Sequence, residues 1–260
     1  MPTGLFLPRR LDRAFSRLAF PDAAKAVMLM GGGSPEYAVW NDHFVGDSAG
    51  TWPASANWGY PATVGTGTEV IALNGGIGGT LTMTTGANAN DSAGQGVGLH
   101  WSGDRGFYFL ARVQLDTLAS SKFEVGMVAA LTGDTGAVAT KATPTFQATI
   151  GANCAVLVRD TTDDVNLTFV SNGGTTDANA DWSGTFNAAQ YYWLEIVGSG
   201  ASSTTGDNVT GYVNGQRVGS GNVDGSAALS PFFYVQTLTT ATRTLTVDFG
   251  GCIGRIAADA

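Results

Sequence analysis

Few residues in this 260-residue chain have the types and spacing that chemistry requires. Ser48 sits in the small-residue segment Gly46-Asp47-Ser48-Ala49-Gly50, but a serine nucleophile needs a base and an orienting acid brought in from elsewhere, and the histidines are His43 and His100 alone. A Gly-rich turn is the simpler reading. Glu124 and Glu195 are single carboxylates on different alternating segments, whereas glycoside hydrolysis needs a placed pair. Each is expected on a solvated face. Gly65-Thr66-Gly67 and Gly75-Gly76-Ile77-Gly78-Gly79 are followed by strand patterns and not by the helix N-terminus that a phosphate loop requires, so they read as turns. Asp160, Asp163 and Asp164, and Asp177 with Asp181, offer the hard oxygens that calcium prefers, at a spacing that fits solvated turns better than a calcium loop. Trp58, Trp101 and Trp182 lie in or beside polar loops, where an exposed ring would stack on a sugar or fill a protein interface; the alternative is that tryptophans plug the ends of the fold. No catalytic residue, metal or cofactor is assigned on these grounds, and the chain is expected not to be an enzyme.

The elements that must position these residues are overwhelmingly β. Charged residues make up 13% of the chain, about half the usual share, and the 37 glycines are about twice it, which points to many strands and tight turns. Phe107, Phe109, Ala111, Val113 and Leu115 alternate with Tyr108, Leu110, Arg112 and Gln114, and Phe123 to Leu131 repeats the pattern after a short linker. This pair is expected to form an antiparallel hairpin. Further strands are expected at 146–150, 154–159, 165–170, 191–197, 209–213, 231–237 and 243–249, the last with Leu245, Val247 and Phe249 on one face. Asn214-Gly215 reads as a type I′ hairpin turn, and 173–184 as a loop.

The first thirty residues differ in kind. Arg9, Arg10, Arg13, Arg17 and Lys25 against Asp12 and Asp22 make this arm +3; the whole chain is −8, so the remainder is −11. Leu11, Phe15 and Leu18 recur at helical spacing with Arg10, Arg13 and Arg17 off the stripe, a helix too short to be stable without a surface to cover it. Pro21 stops it, a second short helix is expected at 23–30, and Gly31-Gly32-Gly33 provides a hinge. The domain division is therefore an arm at 1–36 and a β-sandwich domain at 37–260.

An acidic pI near 4.5 disfavours wrapping a nucleic acid. No membrane span and no secretory signal peptide are read, since Asp12, Arg13 and Arg17 break the only early apolar stretch. Without such a signal, Cys154 and Cys252 are expected as buried free thiols, and the sequons at Asn166 and Asn208 carry little weight.

The segments YYWLEIVG (191–198), VTGYVNGQRVG (209–219), SPFFYVQTLT (230–239) and LTVDFGGCIGRI (245–256) together resemble the concanavalin A-like jelly roll, in the laminin-G-like form found in bacteriophage virion proteins. YAVWNDHFVG (37–46), GGTLTMTTGANAND (78–91) and FYFLARVQL (107–115) look like its earlier strands. The resemblance implies an all-β, antiparallel two-sheet jelly-roll sandwich with a short helical N-terminal arm. Glucanases of that family carry a Glu-x-Asp-x-Glu motif, which is absent here. The leading expectation is thus a virion structural protein, a capsid decoration or cement protein assembled in the host cytoplasm. Its arm (Arg9, Arg10, Leu11, Arg13, Phe15, Arg17, Leu18) would dock on the major capsid protein or another virion protein, with self-association, for instance as a trimer. The alternative is a lectin-like module that binds a surface glycan through Trp58, Trp101 and Trp182, and a glycosidase comes third.

Overall fold

The computed structural model describes residues 37–42, 50–51, 63–64, 69–74, 79–98, 100–129, 136, 138–139, 147–148, 153–162, 164–173, 177–201 and 206–255. The arm, His43, Ser48 and Trp58 lie outside the described residues.

Alternating apolar residues pair into two antiparallel sheets. Strands are numbered along the chain. One sheet runs β16 (Gln216–Gly221), β15 (Val209–Val213), β14 (Tyr192–Gly198), β7 (Phe107–Leu115), β18 (Thr244–Arg255), β5 (Thr80–Thr84), β4 (Val70–Asn74) and β2 (Gly50–Thr51), and β1 (Tyr37–Asp42) completes it by pairing with the far half of β18. The other runs β13 (Asp177–Asp181), β12 (Asp164–Asn172), β11 (Cys154–Asp160), β8 (Ser121–Val128), β17 (Ser230–Thr237), β6 (Ser92–Gly96) and β3 (Thr63–Val64). A separate pair, β9 (Val138–Ala139) with β10 (Gln147–Ala148), stands outside both sheets. The fold is an all-β, antiparallel two-sheet sandwich of the jelly-roll type.

Inner faces meet in one core. Phe107, Phe109, Val113, Leu194 and Ile196 of the nine-stranded sheet pack against Phe123, Val125, Met127, Leu157, Phe169 and Phe233 of the seven-stranded one. Aromatic edges interlock there, with Phe233 6.0 Å from Phe109 and 6.2 Å from Trp40 between ring centroids. Both cysteines are buried, and burial pushes the Cys252 thiol well above its ordinary range.

Three expectations from the sequence need correction. The strands at 107–115 and 121–128 do not form a hairpin: β7 pairs with β14 and β18, while β8 pairs with β11 and β17 in the opposite sheet. Two consecutive strands with one apolar face each can either lie side by side or face each other across the core, and alternation is the same in both cases. Residues 177–181 form β13 and not a loop, because backbone pairing to β12 places Asp, Asn and Ala in an edge strand despite their poor strand propensity. Phe249 does not share a face with Leu245 and Val247: a β-bulge between Val247 and Phe249 inserts Asp248 and reverses the phase of everything after it.

The Asn214-Gly215 turn is as the sequence predicts, with φ of 50° and 82° joining β15 to β16. Close by, Asn208 is wholly buried and stitches the loop between β16 and β17: its Nδ2 donates to the Val223 carbonyl at 2.9 Å and its Oδ1 accepts from the Val223 N–H at 2.9 Å. A buried, doubly bonded amide is not presented as a glycan acceptor in the folded chain. Asn208→Ala strands both Val223 groups and is expected to cost about 1–3 kcal/mol, read by thermal unfolding. An unchanged melting temperature would show that water replaces the amide without loss.

Candidate functional site

A sandwich leaves two outer faces on which a site can be built. On the seven-stranded sheet, β8 directs Phe123, Val125 and Met127 inward and therefore Lys122, Glu124 and Val128 outward. That outer face is not open. Its own outward side chains Val128, Cys154, Val156, Val158, Val170, Phe232 and Tyr234 are buried in a second apolar cluster together with Val138 of β9. On the same face Lys122 Nζ lies 2.9 Å from Glu124 Oε1, with the two side chains 3% and 0% exposed. The backbone of Val138 engages both ends, its N–H donating to Glu124 Oε1 at 3.1 Å and its carbonyl accepting from Lys122 Nζ. Gly136 fits against the same carboxylate, where a Cβ would fall 2.3 Å from Oε1. Glu124 is thus buried and neutralised, contrary to the solvated face expected of it.

Asp160, cross-strand from Lys122, is also buried. One of its oxygens accepts from the Thr162 N–H at 2.9 Å and hydroxyl at 2.7 Å, which closes the turn between β11 and β12. Asp181, exposed on β13, accepts from the Thr168 hydroxyl at 2.7 Å. Among the described residues no group of three or more His, Cys, Asp or Glu side chains gathers as metal ligands.

The nine-stranded sheet turns Tyr108, Leu110 and Arg112 of β7, and Trp193, Glu195 and Val197 of β14, to its outer side, since their neighbours in sequence fill the core. Glu195 accepts a hydrogen bond from the Tyr108 hydroxyl at 3.0 Å and is buried. The solvated face expected of it is again not found. Glu124 and Glu195 point away from each other on opposite sides of the sandwich, with both sheets between them. They form no pair.

At the Trp193 end this face opens to solvent and gathers aromatic and charged groups. The bulge in β18 brings Asp248 and Phe249 beside Arg112. Arg112 Nη1 meets Asp248 Oδ2 at 2.5 Å, with side chains 36% and 24% exposed, and its guanidinium lies 4.3 Å over the ring of Tyr191. Trp193 packs at 5.9 Å against Phe249, while its backbone N–H and carbonyl are fixed by Asn214 of the hairpin turn at 3.0 Å and 2.7 Å. Tyr212, half-buried, pairs across from Glu195 on the adjacent strand. Desolvation first, and then the charge of Asp248, push the Tyr191 phenol up from its ordinary range, with Arg112 opposing them. The phenol therefore stays a neutral donor and acceptor through physiological pH. Three half-buried aromatic rings with a guanidinium and a carboxylate among them can stack on an apolar ring face while bonding hydroxyl groups at its edge.

The tryptophans singled out in the sequence are placed differently. Trp101 is 1% exposed and Trp182 is 8% exposed, both within the main core. Trp101 sits under Gly254, whose added Cβ would be 2.8 Å from its ring. Trp182 donates its indole N–H to Gln216 at 3.0 Å and packs edge-on against Tyr192 at 5.8 Å. The exposed stacking faces expected at these two positions do not exist, and Trp58 lies outside the described residues. Tyr191 and Trp193 were legible only through the phase of YYWLEIVG: with Tyr192, Leu194 and Ile196 inward, their neighbours must face out.

No protein-family model and no curated protein matches the chain. Among solved structures it is similar to a protein of unknown function, SO2946 from Shewanella oneidensis MR-1, with a TM-score of 0.54 and 11% identity over 93% of this chain and 97% of that one. Weaker similarities are to the Emp47p carbohydrate recognition domain (TM-score 0.48, 9% identity, 86% of this chain and 99% of that one) and to the κ-carrageenase of Pseudoalteromonas carrageenovora (TM-score 0.48, 11% identity, 86% and 97%). These likenesses concern the fold. Nothing in the fold or in these structures bears on the virion role, the capsid partner or the trimer expected from the sequence.

Proposed function

We propose that the chain is a carbohydrate-binding module that acts by binding and not by catalysis, with its site at the Tyr191, Trp193 and Tyr212 end of the nine-stranded sheet. The observation that carries this reading is the outward cluster in which Arg112 bridges Asp248 and the Tyr191 ring beside Trp193. Sugar rings present apolar C–H faces and a periphery of hydroxyls, and this surface offers aromatic faces with a charged donor and acceptor set between them. The binding reading is favoured over hydrolysis because Glu124 is sealed and salt-bridged while Glu195 is on the other face.

A glycan array probed with the full chain is the test. Trp193→Ala is expected to weaken the strongest glycan by roughly 30-fold, as loss of a central aromatic anchor does, and Arg112→Ala to weaken it less. Failure to bind any glycan, or binding indifferent to both changes, would overturn the proposal.

A further inference from the structure

The open end of the nine-stranded sheet carries its charges in pairs. Trp193, Arg112 and Phe249 stand opposite one another on β14, β7 and β18, so the guanidinium lies in one cross-strand row between two aromatic residues. Its bonds are divided. Nη1 holds Asp248 Oδ2 and the guanidinium carbon lies 4.3 Å from the Tyr191 ring centroid, while Nε, Nη2 and the second oxygen of Asp248 make no further hydrogen bond among the described residues. Both side chains are partly exposed, so these atoms are free to meet a ligand. Arg217, exposed on the edge strand β16 and paired across from Tyr212, donates to the Ser220 hydroxyl at 2.8 Å, and that hydroxyl bonds Asp207 in turn. Each of these cations thus has an acid beside it. Within the strands of this sheet the remaining cation is Arg255, six residues beyond Phe249 and about 20 Å away along β18. Glu195, two residues from Trp193, adds a carboxylate on the same face. Near the aromatic row, then, two cations stand among three carboxylates, in a chain of net charge −8.

We infer, resting on the carbohydrate reading above, that this site takes uncharged glycans and turns away uronate and sulfated chains, with Asp248 as the residue that sets the difference. Neighbouring hydroxyls of a neutral sugar ring can donate to the second oxygen of Asp248 and accept from Nε or Nη2 of Arg112. The ion pair binds such a ligand without being broken. An anionic group gains little from a guanidinium that a carboxylate already neutralises, and it meets Asp248 and Glu195 at close range, where like charges brought together carry a cost. Stacking on Trp193 and Tyr191 is common to both kinds of ligand, so the discrimination comes from the repulsive element.

Matched pairs of chains that differ in charge alone test this: mannan against mannuronan oligosaccharides, cello-oligosaccharides against glucuronan oligosaccharides, and dextran against dextran sulfate. Binding to the full chain is measured by calorimetry at low and at high salt. The wild type is expected to hold the neutral member roughly ten-fold more tightly, and the gap should narrow in high salt as screening weakens the repulsion. Asp248→Asn preserves the shape of the side chain and one carbonyl oxygen. It should leave the neutral affinity within a few-fold and close or reverse the gap, because Arg112 is then free to meet an anion; its melting temperature reports that it is folded, and the salt series on the wild type needs no variant. Equal or tighter wild-type binding of the charged members would overturn this inference and leave the carbohydrate reading standing, and so would a gap that neither salt nor Asp248→Asn changes. Binding of no glycan, neutral or charged, would overturn both.

Discussion

Glu124→Ala is expected to destabilise the sandwich by about 3–5 kcal/mol, because it leaves the Lys122 ammonium buried without the carboxylate that neutralises it. The partners are 2.9 Å apart and almost wholly withdrawn from water, so the lost interaction is not the weak surface kind. Val138 raises the stakes, since the same deletion strands its N–H. A double replacement, Lys122→Met with Glu124→Leu, should recover much of the loss: it removes the desolvation cost of both charges, while the Val138 groups must find water. Urea unfolding of the wild type and both variants measures this. If the single change cost under about 1 kcal/mol, the pair would be a solvated ion pair of the ordinary kind and the face that holds it would be open in solution.

The second large effect concerns the tryptophans that the sequence offers as sugar platforms. Trp101→Ala is expected to cost about 3–5 kcal/mol, as removal of a buried indole does, and to leave the affinity of the folded molecules unchanged. Trp101 seals one end of the core, where the backbone around it pairs with Leu229. Trp193→Ala should show the converse, with a nearly unchanged melting temperature and a lost glycan signal. Measuring stability and binding on the same two variants separates the roles. Were Trp101→Ala to lose binding at full stability, the site would lie at that end of the sandwich and not on the sheet.

What the sequence made legible follows the reach of each signal. Strand positions were readable where apolar residues alternate, as at 107–115, 191–197 and 209–213, because alternation is a local consequence of burial. Which strands pair was not: β7 and β8 are neighbours in sequence and lie in different sheets, and alternation is blind to that choice. The site was hidden for a related reason. Its geometry depends on a single inserted residue, Asp248, which turns Phe249 outward and brings a carboxylate to Arg112, and a bulge leaves no mark in composition. The loop setting of Trp101 and Trp182 misled because short loops at the ends of a sandwich fold inward over the core as readily as they project from it.

The pairing of β1 with β18 fixes an order of events during synthesis. β1 has no other strand partner among the described residues, and β18 separates β7 from β5, so the nine-stranded sheet cannot close until residues 244–255 have left the ribosome. Pairing across more than 200 residues is slow, and β1 must wait through it as an unpaired edge.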